Sequence, residues 1–271
     1  MAQRDGIGIF DSGVGGLTVA RAVLQALPGA RIVYFGDNGY APYGDRPVEQ
    51  IGYFVQAILR FLETENVAAI VAGCNISWAL LVAGKIQRPR VPVVELLSAG
   101  AAAAAKATRT GVVGVLATTR TVESGAYPRA IQAGRPEIKV VQKACPALVP
   151  LVERAELDSA RASLEVKQCV QPLLEAGADA IVLGCTHYPF LAHLVAEHAG
   201  PDVRLVDPAE GAASSLQGSE ALPPSGLEAL DGRAHRFYTS GSADLLRRYV
   251  AEYLRLESPN IAQLDLHPGV G

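Results

Sequence analysis

The 271-residue chain has no surplus of either charge: 24 Lys and Arg stand against 27 Asp and Glu, a formal net charge of −3. A dedicated nucleic-acid binder concentrates basic residues, so that class is excluded. No run of like charges is long enough to act as a tail. Cysteine is scarce, four in all, and no two form a CxxC pair, which removes a disulfide framework and the common zinc ribbons. An apolar leader after Met1, a GxSxG elbow and a P-loop are also missing. The longest stretch without charge, Asn66 to Gly84, is long enough for a membrane span. It carries Asn66, Gly73, Asn75, Ser77 and Gly84, and reads instead as a buried strand running into a helix. With 49% hydrophobic and 19% charged residues the chain folds rather than staying disordered. The expectation is a cytoplasmic protein with neither nucleic acid nor membrane as partner, and at roughly 150 residues per domain its length suits two domains.

What is present is an alternation of short apolar runs with helical patterns. Strands are predicted over Gly6–Phe10, Arg31–Phe35, Val67–Ala72 and Val91–Leu96, with helices between them. The alternation then starts again, with strands over Gly111–Leu116, Ile138–Gln142, Ala180–Leu183 and Val203–Val206. Near-continuous apolar strands separated by helices mean parallel sheets covered on both faces. The halves are alike in order: Ile7–Phe10 matches Val113–Leu116, Ala69–Asn75 matches Ala180–Thr186, and Val93–Glu95 matches Leu205–Asp207. The predicted fold is α/β, two similar doubly wound parallel-sheet lobes related by pseudo-twofold symmetry. Residues 1–98 with 208–271 form the first lobe and 99–207 the second. A Pro/Gly/Ser-rich loop over Gln217–Gly232, a strand over Arg236–Thr239 and a helix over Ala243–Leu256 have no counterpart in the repeat and are expected to pack back on the first half.

The third strand of each half ends in Gly-Cys, at Cys74 and Cys185. In open parallel sheets ligands sit beyond the C-terminal strand ends, and a helix N-terminus there favours a thiolate. Two such halves facing each other would set one thiol on each wall of a single cleft. That arrangement suits inversion of a carbon stereocentre, one group taking a proton and the other returning one. A free thiol, with a pKa of about 8.5, needs a helper at neutral pH; Asp11 directly after the first strand and His187 near Cys185 fill that role. A cysteine at a strand end is also a serviceable small hydrophobe, but the equivalence of the two positions favours chemistry. Cys169 reads as core. Cys145 reads as structural, with lining of the site as the alternative.

The motifs Phe10–Thr18 (FDSGVGGLT), Ala41–Gly44 (APYG), Gly73–Asn75 (GCN), Gly114–Thr118 (GVLAT), Val149–Glu153 (VPLVE) and Gly184–Pro189 (GCTHYP) together resemble the cofactor-independent glutamate racemases of the aspartate/glutamate racemase superfamily. The resemblance runs from Ile7 to the Arg236–Gly241 segment. It implies that Cys74 and Cys185 are the two acid/base residues, with Asp11 assisting Cys74, His187 and Glu153 assisting Cys185, and Asp37 tuning the first side. Ser12, Pro42, Tyr43, Gly44, Asn75, Ile76 and Thr186 match positions around the substrate's polar groups, and Thr118 and Thr121 a second threonine pair near its carboxylates. It further implies no cofactor, no metal, a homodimer, and supply of D-glutamate for peptidoglycan. One departure stands out: after Cys-Asn the family carries Thr, Ala and a small hydroxyl residue, whereas this chain has Ile76, Ser77 and Trp78. The alternatives it leaves are a racemase of the same fold acting on aspartate or another small acid, and a non-catalytic ligand-binding protein on this scaffold.

Other signals are set aside. Gly13-Val14-Gly15-Gly16 resembles a dinucleotide loop, but the third glycine of the fingerprint falls at Thr18. Cys-x-His at Cys185 and His187 is a poor zinc spacing. His193, His198, His235 and His267 are expected at the surface or at caps, and Trp78 in the core or on the cleft wall.

Overall fold

The computed structural model describes residues 6–43, 46–218 and 235–267. The chain divides into two compact units, Met1–Glu95 with Ala212–Gly271, and Leu96–Gly211. In the first, β1 (Gly6–Asp11), β2 (Arg31–Gly36), β3 (Val67–Ala72) and β4 (Val93–Glu95) are joined by β9 (Arg236–Thr239) and β10 (Asn260–Gln263), in the order β10-β9-β2-β1-β3-β4. Every pairing is parallel. The central strands β1, β2 and β3 are apolar on both faces because both faces are covered. Phe10, Val33, Phe35, Ile70 and Ala72 cluster with Ile51, Phe54, Val55, Ile58 and Leu62 of α2 (Val48–Thr64). The residues between them, Ile9, Ile32, Tyr34 and Val71, are fully buried as well.

The second unit repeats the plan. Its strands β5 (Val112–Ala117), β6 (Lys139–Ala144), β7 (Ala180–Leu183) and β8 (Arg204–Val206) lie in the order β6-β5-β7-β8, again all parallel. This is the order β2-β1-β3-β4 of the first unit. The alanine run Ala101–Ala105 lies in α4 (Leu96–Ala107), where Ala101, Ala104 and Ala105 pack with Val113, Val115 and Val182; small side chains permit that close approach. The two-sheet α/β architecture is the one expected from the alternation.

The repeat extends to single hydrogen bonds. Gly73 N–H donates to Phe10 O at 2.9 Å, and Gly184 N–H donates to Leu116 O at 2.7 Å. Asp37 N–H donates to Asp11 O at 3.0 Å, and Cys145 N–H to Ala117 O at 2.9 Å. Strand register pairs Phe10 with Ala72 and Leu116 with Leu183. Gly73 therefore corresponds to Gly184, Cys74 to Cys185, and Asp37 to Cys145. A Cβ on Gly73 would lie 2.8 Å from Asp11 Oδ2 and 3.0 Å from Phe10 O; one on Gly184 would lie 2.8 Å from Leu116 O. The glycine before each cysteine is thus imposed by the neighbouring strand.

Several expectations need correction. The predicted strand Val91–Leu96 shortens to β4, because Leu96 already opens α4; Pro92 cannot donate but accepts from Ile70 N–H at 2.9 Å. The helix expected over Ala243–Leu256 is α-helical only over Ala243–Tyr249. It widens to a π turn over Val250–Leu254, beside which the Arg21 guanidinium lies 4.1 Å from the Tyr253 ring, and Arg255 ends it in a left-handed conformation. A helix over Pro208–Gln217 and the strand β10 were not anticipated. The predicted loop from Gln217 to Gly232 lies outside the described residues beyond Gly218. No helix among the described residues is long and apolar enough to cross a membrane.

β9 attaches to β2 through Phe237, which is fully buried with its ring 6.2 Å from that of Tyr34. Phe237→Ala is expected to cost about 3–5 kcal/mol of stability, read as a lower urea midpoint of unfolding.

Candidate active site

In the first unit, three strands deliver polar side chains to one edge. Asp11 closes β1, Asp37 follows β2, and Cys74 follows β3. All three are buried, in a place where a carboxylate survives only with partners. Asp11 Oδ1 accepts the Gly13 N–H at 3.0 Å. Asp37 Oδ2 accepts the Tyr43 hydroxyl at 2.5 Å. Gly16, opening α1 (Gly16–Ala26), must be glycine because a Cβ there would lie 2.7 Å from Asp11 Cβ. The Gly-rich loop is accounted for by this close approach, without a nucleotide.

Cys74 is the N-cap residue of α3 (Asn75–Val82). Burial and then the Asp11 charge push its thiol up from the ordinary value, against the Ser77 hydroxyl and the N–H groups of Ser77 and Ile76, which favour the thiolate. Burial raises Tyr43 well above the usual phenol value, and the charges of Asp37, Cys74 and Asp11 add to it. Tyr43 is therefore a neutral donor beside all three groups. Ser12 and Asn75 are half-buried and Pro42 is exposed. Ile76 directs its N–H to the Cys74 sulfur while its side chain packs with that of Trp78 against the core. Gly44 lies outside the described residues.

In the second unit, Cys185 follows β7 and is half-buried. His187 Nδ1 lies 3.8 Å from Cys185 Sγ, and His187 Nε2 is 2.7 Å from Glu153 Oε1 at the end of α7 (Leu148–Glu153). Thiol, imidazole and carboxylate thus stand in line, an order that can activate a thiol. Burial alone would push His187 down; the Cys185 sulfur and the Glu153 carboxylate overcome it and hold the imidazole well above its ordinary value. The Thr118 and Thr121 hydroxyls stand 3.0 Å apart at the end of β5. Thr186 is buried between Cys185 and His187. Cys145 turns its thiol to Lys143 O at 3.5 Å, and Cys169 is buried in the helix Ala160–Glu175.

Two histidines expected at the surface or at caps are buried instead. His235 is buried and its Nδ1 accepts the Ile32 N–H at 3.1 Å. His267 is fully buried, its Nε2 3.3 Å from Asp37 Oδ2. Neither has a local signal, because the partner of each lies about two hundred residues away in the chain. Among the described residues no group of three or more His, Cys, Asp and Glu side chains is placed to hold a metal ion.

Residues 15–216 match the Asp/Glu/Hydantoin racemase family. The chain is 39% identical to the glutamate racemase of Desulforudis audaxviator (strain MP104C), over 96% of this chain and 97% of that one. Among solved structures it is similar to glutamate racemase isoform RacE1 from Bacillus anthracis, with a TM-score of 0.87 and 35% identity over 97% of this chain and 98% of that one. It is also similar to a glutamate racemase from Francisella tularensis subsp. tularensis SCHU S4 in complex with D-glutamate, with a TM-score of 0.82 and 28% identity over 98% and 99% of the two chains.

A raised histidine pKa means the proton is held by its partners. Glu153→Gln removes one of them, so His187 is expected to titrate at lower pH than in the parent, as followed by NMR of the imidazole. Any stability that the raised pKa confers is fully present below the unfolded value of about 6.5 and is lost as pH rises through the folded one.

Proposed function

The chain belongs to the Asp/Glu/Hydantoin racemase family, and on that premise we propose that it interconverts L- and D-glutamate without a cofactor, using Cys74 and Cys185 as its two proton-transfer groups. The observation that carries this reading is the backbone equivalence of the two cysteines. Each follows a glycine bonded to the central strand of its sheet, and each has acid–base groups beside it. Two-base inversion requires one thiol for each face of the α-carbon, and each unit supplies one.

In one direction a thiolate takes the α-proton. The C–H electron pair is delocalised into the adjacent carboxylate, and the other thiol gives its proton to the opposite face. The two sulfurs thereby exchange protonation states, and the reverse reaction restores them. The surroundings differ enough to set a resting asymmetry. Cys74, raised by burial and Asp11, starts as the thiol and donor. On the other side Cys185 faces the His187 imidazole at 3.8 Å, anchored by Glu153 at 2.7 Å, and serves as the base in this direction. Asp11 assists Cys74 as the carboxylate whose charge bears on its sulfur, and Asp37 tunes that side through Tyr43.

Ser12, Pro42, Tyr43, Gly44, Asn75, Ile76, Thr118, Thr121 and Thr186 hold the substrate's carboxylates and amino group. Glutamate is the substrate in the names of the similar relatives, and at position 76 the backbone N–H survives the loss of a threonine hydroxyl. The physiological role is supply of D-glutamate for peptidoglycan, in the cytoplasm, by a homodimer.

The test is circular dichroism of the purified protein with either enantiomer in D2O, with no cofactor added. Both enantiomers should lose their signal and take up α-deuterium. Cys74→Ser and Cys185→Ser should each lower kcat by about 10²–10⁴-fold or more, the usual range for a lost proton-transfer group. Retention of full racemisation by either variant would overturn the two-cysteine scheme.

A further inference from the structure

The first unit carries two strands, β9 and β10, that the second lacks. Because the sheet is parallel, the residues just past these strands arrive at the edge that holds Asp11, Asp37 and Cys74. There they grip the segment after β2. Gly39 N–H donates to Ser240 Oγ at 3.0 Å, Thr239 Oγ1 donates to Asn38 Oδ1 at 3.1 Å, and the Tyr40 hydroxyl donates to Asp265 Oδ1 at 3.1 Å. Asp265 Oδ1 also accepts the His267 N–H at 2.8 Å, closing a turn that aims the imidazole inward.

His267 is then enclosed by rings, with centroids 4.4 Å from Phe54, 5.1 Å from Tyr40 and 5.9 Å from Tyr53. The Arg46 guanidinium lies over Tyr40 and Phe54 on the same cluster. Within this apolar cage the Nε2 of His267 faces Asp37 Oδ2 at 3.3 Å, the oxygen that also accepts the Tyr43 hydroxyl. Both His267 and Asp37 are 0% exposed; Asp37 Oδ1 and the two ring nitrogens of His267 make no hydrogen bond among the described residues, so the 3.3 Å approach of Nε2 to Oδ2 is a close polar contact. A carboxylate so enclosed depends on its few partners for its orientation. In the second unit the position of Asp37 is taken by Cys145, so this arrangement belongs to the Cys74 side alone.

We propose that His267 is a positioning residue for the reaction: the C-terminal segment brings its imidazole onto Asp37 and thereby fixes Tyr43, and the Pro42–Tyr43 turn, beside Cys74. This rests on the reading that Tyr43 and Cys74 serve racemisation. Its role is indirect, since His267 touches the carboxylate that holds the tyrosine and lies behind it.

The test uses the full chain with His267→Ala, His267→Gln and Tyr43→Phe, measuring kcat and KM for both enantiomers together with thermal unfolding. His267→Ala should raise KM by about 10- to 100-fold, the effect of a modest misplacement at a binding turn. His267→Gln keeps a polar N–H group facing Asp37 and should recover most of the loss. Combining His267→Ala with Tyr43→Phe should add little beyond either alone, since both cut the same chain of contacts. A folded His267→Ala protein with the parent's kinetic constants overturns the inference, as does additivity in the double variant. Should the alanine variant fail to fold, Tyr43→Phe with unchanged KM overturns it equally. If the parent racemises and only the cysteine variants fail, the inference falls and the proposed function stands; a parent without turnover removes both.

Discussion

Everything at the candidate site depends on how closely the third strand of each sheet approaches the first as it ends. Gly73 and Gly184 donate backbone hydrogen bonds to Phe10 and Leu116, and in both places a side chain would collide with that strand. The chain leaves the sheet at the crevice where strand order reverses and immediately presents a cysteine. In the first unit the same approach brings Asp11 against Gly73 and puts its charge within reach of Cys74. The reactive geometry is a by-product of backbone packing, which explains how two halves with different side chains place a thiol at the same point.

The halves diverge in what surrounds that point. Asp11 and the enclosing core disfavour the Cys74 thiolate, while the helix N–H groups favour it. Cys185 instead has an imidazole, and Glu153 anchors the far nitrogen of that ring. One carboxylate acts by its charge near the sulfur; the other acts through a histidine. The asymmetry stems from two independent sets of neighbours grafted on one repeated frame.

The tail adds a third layer. β9 and β10 extend the first sheet past β2, and their ends tie down the segment that carries Asp37 and Tyr43. A buried carboxylate in an aromatic cage has few orientations open to it once both a phenol and an imidazole bear on one oxygen. Stability and positioning are then served by the same contacts, because Phe54 and Tyr40, two of the rings around His267, also belong to or pack against the core beneath α2.

The alternation of strands and helices, the parallel sheets and the paired Gly-Cys positions were legible in the sequence alone, because each is written in local patterns: apolar runs of strand length, helical periodicity, and a repeated short motif. Even the level of Cys145 with Asp37 follows from counting along the second strands. The burial of His235 and His267 was not legible, nor was β10, whose four residues Asn260–Gln263 are mostly exposed and carry no apolar run. A polar residue in a short tail has no periodicity to betray it; its place is set by whichever sheet edge the tail joins. Only the folded chain decides that edge, since β9, which β10 joins, pairs with β2 across some two hundred residues of chain, and it is this pairing that brings a solitary histidine up to Asp37.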